Sequence, residues 1–188
     1  MTRERAFVKR QRDVNAFAEL SHGNAVILEN AQKKRDGYFY EAMASVVLSA
    51  FKFEAFLNHL GPRVFSFWAD VERLPHANKL EILATELNVT IDRSRRPFQT
   101  LTELFRARDG VAHGKPEFLE TKTEETATRE ELRRRKPLTN WEAVCTIEFA
   151  ERAHGDTEEI ARMLWIAAGF DEMELHQSGH SYSISNVQ

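Results

Sequence analysis

Residues 38–60 read YFYEAMASVVLSAFKFEAFLNHL, and this segment decides the fold class. Its apolar side chains lie around most of the circumference of a helix, which is typical of a central helix that is buried on nearly all sides. Gly37 precedes the segment and Gly61-Pro62 follows it, a pair that commonly ends a helix. The sequence therefore predicts a long, buried helix over residues 38–60.

Helical periodicity continues on both sides of this segment, and strand signals are nearly absent. We predict a first helical region from about residue 4 to residue 34, with Ser21-His22-Gly23 as the point where it would break. Further helices are predicted near residues 64–73, 76–88, 97–113 and 141–168 (the last interrupted at Gly155), with a charged, at most partly helical connector at residues 119–137. The resulting fold is an all-α, single-domain bundle of four to five main helices within residues 1–173, followed by a polar tail at 174–188 that is either disordered or a short extension.

The composition fits a single soluble domain without a general affinity for polyanions. The 188 residues are 42% hydrophobic and carry a formal net charge of −3, so a nucleic acid would have to meet a local basic patch. Two clusters could form such a patch, residues 93–96 and residues 133–136, although both also read as ordinary solvated faces. The single cysteine, Cys145, excludes an internal disulfide, and no apolar stretch reaches the ~20 residues of a membrane span. We expect a cytoplasmic protein with no membrane association.

The sequence lacks the common signatures of phosphate loops, paired-cysteine metal sites and serine nucleophiles. His176 and His180 have the i, i+4 spacing of helical metal ligands, but Gly179 and the serine-rich surroundings argue against a helix there. We therefore predict neither a metal nor another cofactor.

Two charged residues lie where apolar side chains are expected. At ~100° per residue, Glu54 falls within roughly 40° of Val47 and Ala50. By the same projection Arg108 falls within about 40° of Leu101 and Leu104. A buried carboxylate requires a cation, and Arg108 is the natural partner of Glu54.

The segment LFRARDGVAHG, residues 104–114, also carries a titratable group. His113 lies about 140° from Arg108 on the helix, on the face of Asp109, at ~100° per residue. Asp109 and His113 form an i, i+4 pair, so the carboxylate could orient the imidazole and raise its pKa. Gly110, inside the segment, would loosen the helix and weaken that geometry.

The segment RDGVAH, residues 108–113, resembles the Arg-x4–6-His signature of the HEPN superfamily, including the polar residue directly after the arginine. Upstream, FEAFLNH at residues 53–59 is similar to a segment often found on the long second helix of HEPN-like bacterial proteins. The order of the parts is similar as well, and the resemblance covers roughly residues 25–168. It implies a HEPN-like helical bundle.

The resemblance also implies an activity. Active HEPN proteins are metal-independent endoribonucleases whose site forms between two protomers, so it implies a homodimer, with RNA as the substrate. Carried onto this sequence, His113 is the general acid and base, Arg108 binds the phosphate and Asp109 orients His113. Arg106 and Lys115 guide the RNA backbone, and Glu54 and Asn58 support the site. Proteins of this kind often act as toxins or in phage defence, held in check by an antitoxin or another regulatory protein.

Elementary chemistry agrees with these roles, because RNA can be cleaved by its own 2′-OH and needs only proton transfer and charge stabilisation. Histidine suits the proton transfer, and arginine suits the stabilisation of negative charge on the phosphate. Two alternatives stay open: a HEPN-like module that binds RNA, nucleotides or protein without catalysis, and a helical dimerisation or regulatory protein in which Glu54 and Arg108 form a purely structural ion pair.

Overall fold

The structure is a computed structural model that describes residues 5–34 and 36–186. Over this part of the chain it is mostly helical, with eight helices, 60% helical residues and one two-stranded sheet. In chain order the elements are β1 (Ala6–Arg12), α1 (Ala16–Gln32), α2 (Phe39–Val64), α3 (Trp68–Val71), α4 (His76–Glu86), α5 (Phe98–Ala112), α6 (Arg129–Arg134), α7 (Asn140–Val144), α8 (Ile147–Ala167) and β2 (His180–Asn186), with a 3-10 turn at Glu172–Glu174 before β2.

Helix α2 occupies the centre of the bundle, as residues 38–60 predict. Helices α1, α4, α5 and α8 all pack against it. Its inner side chains, among them Phe53, Phe56 and Leu60, are fully buried. Each such side chain contributes about 1.5–3 kcal/mol when it leaves water. This burial explains why the segment, apolar on nearly all sides, takes the central place.

Several helix boundaries differ from the predicted ones. Helix α2 continues through Gly61-Pro62 to Val64, because Pro62 removes only one hydrogen bond so close to the helix end. Helices α1 and α8 run without interruption past Gly23 and Gly155. The predicted helix over residues 141–168 is instead divided after Val144, where the hydroxyl of Thr146 accepts a hydrogen bond from the Phe149 N–H and caps α8.

The shorter segments follow the predictions in part. Helices α4 and α5 lie within two residues of their predicted bounds, although Pro97 takes the N-cap position of α5 rather than its first turn. The helix expected over residues 64–73 is reduced to Trp68–Val71. The connector over residues 119–137 contains one short helix, α6, which begins with a capping box at Thr128 and Glu131.

The two ends of the chain form a two-stranded ribbon, and here the prediction of a helix from about residue 4 is wrong. Strand β1 pairs with β2 in antiparallel register, from Ala6 opposite Asn186 to Arg12 opposite His180. Residues 1–4 and 187–188 lie outside the described part of the chain. Below the ribbon, Asn15 donates hydrogen bonds from its side chain to the carbonyls of Leu175 and Gln177, which fastens the C-terminal segment to the start of α1.

None of the helices within residues 5–34 and 36–186 combines the length with the apolar character that crossing a membrane requires.

Helix α2 and the segment after it pack closely at Gly61, and this contact yields a stability prediction. A Cβ atom at position 61 would lie 2.0 Å from Cε2 of Trp68, whose ring is buried. We expect Gly61→Ala to lower the free energy of unfolding by about 1–3 kcal/mol, the usual cost of overpacking. Gly155→Ala is the matched control because a Cβ there meets nothing within 4 Å, and it should gain about 0.5–1 kcal/mol. Urea unfolding measures both, and an unchanged midpoint for Gly61→Ala would contradict the close packing.

Candidate functional site

Glu54 of α2 and Arg108 of α5 meet where these two helices pack against each other. Nη2 of Arg108 donates a hydrogen bond to Oε1 of Glu54 at 2.6 Å. The Arg108 side chain is 19% exposed and that of Glu54 is 32% exposed, so the pair lies at the edge of the core. Each charge offsets the desolvation of the other, and the predicted partnership of these two residues is present.

The guanidinium of Arg108 has two further neighbours. Its Nη1 lies 3.0 Å from Oδ1 of Asp109, and its central carbon lies over the Phe105 ring at 5.3 Å from the centroid. Nε of Arg108 is buried and has no hydrogen-bond partner among the described residues. The guanidinium is therefore fixed on three sides, with two carboxylates against its single charge.

His76, the first residue of α4, stacks on the opposite helix through the Phe105 ring. The imidazole is nearly parallel to that ring, with an interplanar angle of 7°. Burial and, to a smaller extent, the positive charge of Arg108 lower the pKa of His76 to about 4. His76 is therefore neutral near pH 7. Its place in the sequence, directly after Pro75, gives no signal of this contact with α5.

Asn58 is held by a buried lysine rather than by Arg108. Nζ of Lys79 donates to Oδ1 of Asn58 at 3.0 Å and to the carbonyl of Glu72 at 3.2 Å. Burial lowers the pKa of Lys79, while Glu54 and Glu72 oppose that shift. Sequence reasoning missed Lys79, although its place four residues before Leu83 on the apolar stripe of α4 is the same kind of signal that identified Glu54.

His113 is exposed at the end of α5, and the structure does not bring its imidazole to Asp109. The backbone N–H of His113 donates to the carbonyl of Asp109 at 2.8 Å, but no side-chain hydrogen bond joins the two within the described part of the chain. Helix α5 ends at Ala112, and His113 leaves helical geometry with φ −120° and ψ 17°. The expected i, i+4 orientation is therefore lost, and the Asp109 carboxylate lies against Arg108 instead.

Gly110 does not loosen α5, which continues through it to Ala112. A Cβ atom at position 110 would lie 2.9 Å from Cβ of Trp141. The glycine therefore lets α7 approach α5 closely, and this packing explains a residue that the sequence suggests would disturb the helix.

Arg106 and Lys115 are both exposed, and Arg106 borders a cavity. Arg106 lines an open cavity of about 420 Å³ together with His76, Phe105 and Asp109. Within the described residues Arg106 forms no ion pair. Lys115 lies three residues beyond Ala112, where α5 ends. The cavity thus presents the Arg106 guanidinium, a neutral imidazole and an aromatic ring beside Arg108, groups that can contact a phosphate and a base.

The basic clusters of the sequence are largely neutralised. Arg93, Arg95 and Arg96 pair with Glu81, Asp92 and Asp156, and Arg134, Arg135 and Lys136 pair with Glu130, Glu125 and Glu142. These ion pairs favour the interpretation of both clusters as ordinary charged faces.

The two histidines with metal-like spacing have different surroundings. Nε2 of His176 lies 3.2 Å from Oε2 of Glu158, and His180 opens β2. No group of three or more histidine, cysteine or acidic residues in residues 5–34 and 36–186 is arranged to hold a metal ion.

Comparison of the chain with protein-family models, with curated proteins and with solved structures finds no match.

Proposed function

We propose that this chain is an endoribonuclease of HEPN type that cleaves RNA as a homodimer without a metal ion. The observation that supports the proposal is the contact between Glu54 and Arg108 at 2.6 Å, although a purely structural ion pair between these residues predicts the same contact. The two segments with HEPN-like sequence are separated by about fifty residues, and this ion pair joins them. His113 follows five residues after Arg108, at the exposed end of the same helix.

The proposed reaction needs one base, one acid and one fixed cation. The imidazole of His113 takes the proton from the RNA 2′-OH, whose oxygen forms a bond to the adjacent phosphorus. The bond from phosphorus to the 5′-oxygen breaks, and a protonated imidazole returns a proton to that oxygen, which leaves a 2′,3′-cyclic phosphate and a 5′-OH. Arg108 stabilises the extra negative charge on the phosphorus oxygens. Arg108 is held between α2 and α5, and His113 lies exposed beyond the end of α5, so a second protomer supplies the opposing imidazole.

A second candidate function is binding of RNA or protein without catalysis, and a specific observation favours it. Arg108 already faces two carboxylates, Glu54 and Asp109, and His113 has no carboxylate that orients it within the described residues. A site of this kind can hold a phosphate through Arg106 without moving protons. The toxin or phage-defence role, and the antitoxin or regulatory partner that it requires, are part of the proposal for the active form.

The proposal is tested by the cleavage of a mixed-sequence RNA in excess EDTA. We expect the wild type to cut under these conditions and Arg108→Ala to cut about 100-fold more slowly, the usual loss when one charge-stabilising donor is removed. Arg152→Ala is the matched control, because Arg152 pairs with Glu103 at 2.7 Å and lies 4.7 Å from the Phe149 ring centroid, much as Arg108 pairs and stacks.

The outcomes separate the two candidates. Equal loss in both arginine variants would mean that the effect comes from the fold rather than from the site. A wild type that binds the RNA and leaves it intact would favour the module without catalysis, and cutting that stops with EDTA would overturn the metal-independent mechanism.

A further inference from the structure

The ribbon of β1 and β2 is almost entirely exposed over its described residues. Every residue at positions 7–12 and 180–185 is exposed, including the apolar side chains of Phe7 and Ile184 at 67% and 61%. An isolated two-stranded ribbon is only marginally stable by itself. Its projection from the bundle with both faces open is therefore better explained by a binding role than by support of the core.

The charge of the ribbon has one sign. Residues 5–12 carry four cations, Arg5, Lys9, Arg10 and Arg12, and neither these residues nor 180–186 include a carboxylate. Among the described residues, Glu19 of α1 offsets Arg12 at 2.6 Å. In a chain with a net charge of −3, this is a strong local excess of positive charge. Two such ribbons would repel each other, so the charge complements a polyanion rather than a second copy.

One face of the ribbon combines these cations with flat side chains. Residues opposite each other on paired strands share a face, so Arg10 lies beside Tyr182 and Arg12 beside His180, with Val8 beside Ile184 above them. Tyr182 is 67% exposed. Two guanidinium groups paired with rings at one end of this face, on strands about 23 Å long (seven residues at about 3.3 Å each), suit the phosphates and unpaired bases of a single strand.

The same face leads into a cleft at the base of the ribbon. This cleft has a volume of about 640 Å³, and its polar lining includes Arg12, Asp13, Asn58, His59, Arg63 and Gln177. Arg63 lies over the Trp165 ring at 5.7 Å from the centroid and forms no ion pair within the described residues. Burial and Arg63 lower the pKa of His59 to about 4, so its imidazole is neutral near pH 7. The cleft thus adds the Arg63 guanidinium to the cations of the ribbon, together with one carboxylate, Asp13, and neutral groups that form hydrogen bonds.

Asn58, in the lining of the cleft, lies one turn after Glu54 on α2, so the cleft and the proposed active site border the same helix. We propose that the ribbon face of Arg10, Arg12 and Tyr182, together with the cleft below it, binds single-stranded RNA. This inference deepens the proposed function and rests on it in one respect, since it assigns the surface that delivers the substrate to Arg108 and His113. Binding itself does not depend on cleavage.

The test is the fluorescence anisotropy of a labelled 2′-O-methyl RNA of about 12 nucleotides, which binds but lacks the attacking hydroxyl. We expect the double variant Arg10→Gln/Tyr182→Ser to bind at least about tenfold more weakly than the wild type. The slope of log K against log salt concentration should fall by about 0.7, the value for one lost phosphate contact on a single strand. Because both side chains are exposed, the circular dichroism spectrum and the melting temperature should stay unchanged.

The matched control is Arg129→Gln/Arg133→Gln, which removes two exposed cations of α6 that form no ion pair within the described residues. Equal binding by the wild type and the ribbon variant, or equal weakening in both double variants, would overturn the inference. So would a change from dimer to monomer in the ribbon variant on size-exclusion chromatography, which would assign the ribbon to protein contact.

The same measurements distinguish failure of this inference from failure of the proposed nuclease function. If the ribbon variant alone loses binding while the wild type never cuts cleavable RNA, the ribbon is the RNA-binding surface and the nuclease function fails. If the ribbon variant binds RNA normally while cleavage requires Arg108, the nuclease function stands and the ribbon is not its RNA-binding surface.

Discussion

Replacing His113 by alanine should slow RNA cleavage by roughly 10³- to 10⁴-fold, the upper part of the range for removal of a general acid or base. His113 is exposed at the end of α5, where its loss removes no packing and leaves the Glu54–Arg108 ion pair in place. The variant should therefore fold and bind uncleavable RNA like the wild type. The measurement is the rate of appearance of 2′,3′-cyclic phosphate ends at a saturating protein concentration, with EDTA present.

His22→Ala is the matched control, because His22 is also an exposed histidine on a helix. It should cut at the wild-type rate. An equal rate for His113→Ala would remove the general acid and base from the proposed mechanism. A mixture of His113→Ala and Arg108→Ala proteins adds a test of the dimer: partial recovery of activity indicates a site built from two protomers, and no recovery indicates that each chain needs both of its own residues.

The central part of the fold can be predicted from the sequence because its signals are local. An apolar segment as long as α2 is typical of a buried helix. Glu54 and Arg108 each lie on an apolar stripe, and each buried charge requires a partner of opposite sign. Glycines are weaker guides. Gly23 and Gly155 each cost their helix only about 1 kcal/mol, which the burial of neighbouring side chains such as Ile160 outweighs.

The ribbon cannot be predicted by helical periodicity, since its two strands lie at opposite ends of the chain. A signal is nevertheless present in β2, where Ser181, Ser183 and Ser185 alternate with Tyr182 and Ile184 at the period of a strand. The interpretation of this stretch as a polar tail overlooks that alternation. Strand β1 has no comparable pattern, and its conformation depends on a partner that local patterns do not reveal.

The surroundings of the candidate site are harder to predict than its residues. Helical angles correctly place Arg108 on the apolar stripe, but the position of His113 depends on where α5 ends. One residue beyond the last helical turn, the backbone N–H of His113 still donates to the Asp109 carbonyl, but no hydrogen bond joins the two side chains within the described residues. His76 of α4 stacks on the Phe105 ring of α5. Residue spacing within one helix cannot predict this contact because it joins two helices.

A buried charge outside the candidate site, Lys52 of α2, gives the largest expected effect on stability. Lys52 is completely buried, and its Nζ donates to Oε1 of Glu158 at 2.8 Å and to the carbonyl of His154 at 3.0 Å. Glu158 also accepts from Ser21 and lies 3.2 Å from Nε2 of His176. One carboxylate therefore compensates the cation at the place where α1, α2, α8 and the C-terminal segment meet.

Glu158→Gln should lower the free energy of unfolding at pH 7 by about 3 kcal/mol or more, because it leaves the Lys52 ammonium buried without a counter-ion. The double variant Lys52→Met/Glu158→Gln should recover part of that loss, since no buried charge remains. Glu29→Gln is the control: it breaks the exposed Glu29–Lys33 ion pair of α1 and should leave stability nearly unchanged. Chemical denaturation measures all three, and equal midpoints for Glu158→Gln and Glu29→Gln would contradict the role of Glu158.

The pH dependence of the free energy of unfolding shows whether the buried charge of Lys52 causes this loss of stability. Burial lowers the pKa of Lys52 from 10.5 to about 8, against the attraction of Glu158. A lysine with a lowered folded-state pKa releases its proton from the folded chain first, so stability rises with pH between the folded and unfolded values. Without Glu158 the folded-state pKa falls further, and this rise begins at lower pH. The stability gap between wild type and Glu158→Gln should therefore narrow as pH rises towards about 8 and stay constant above it, whereas lost packing alone would leave the gap the same throughout.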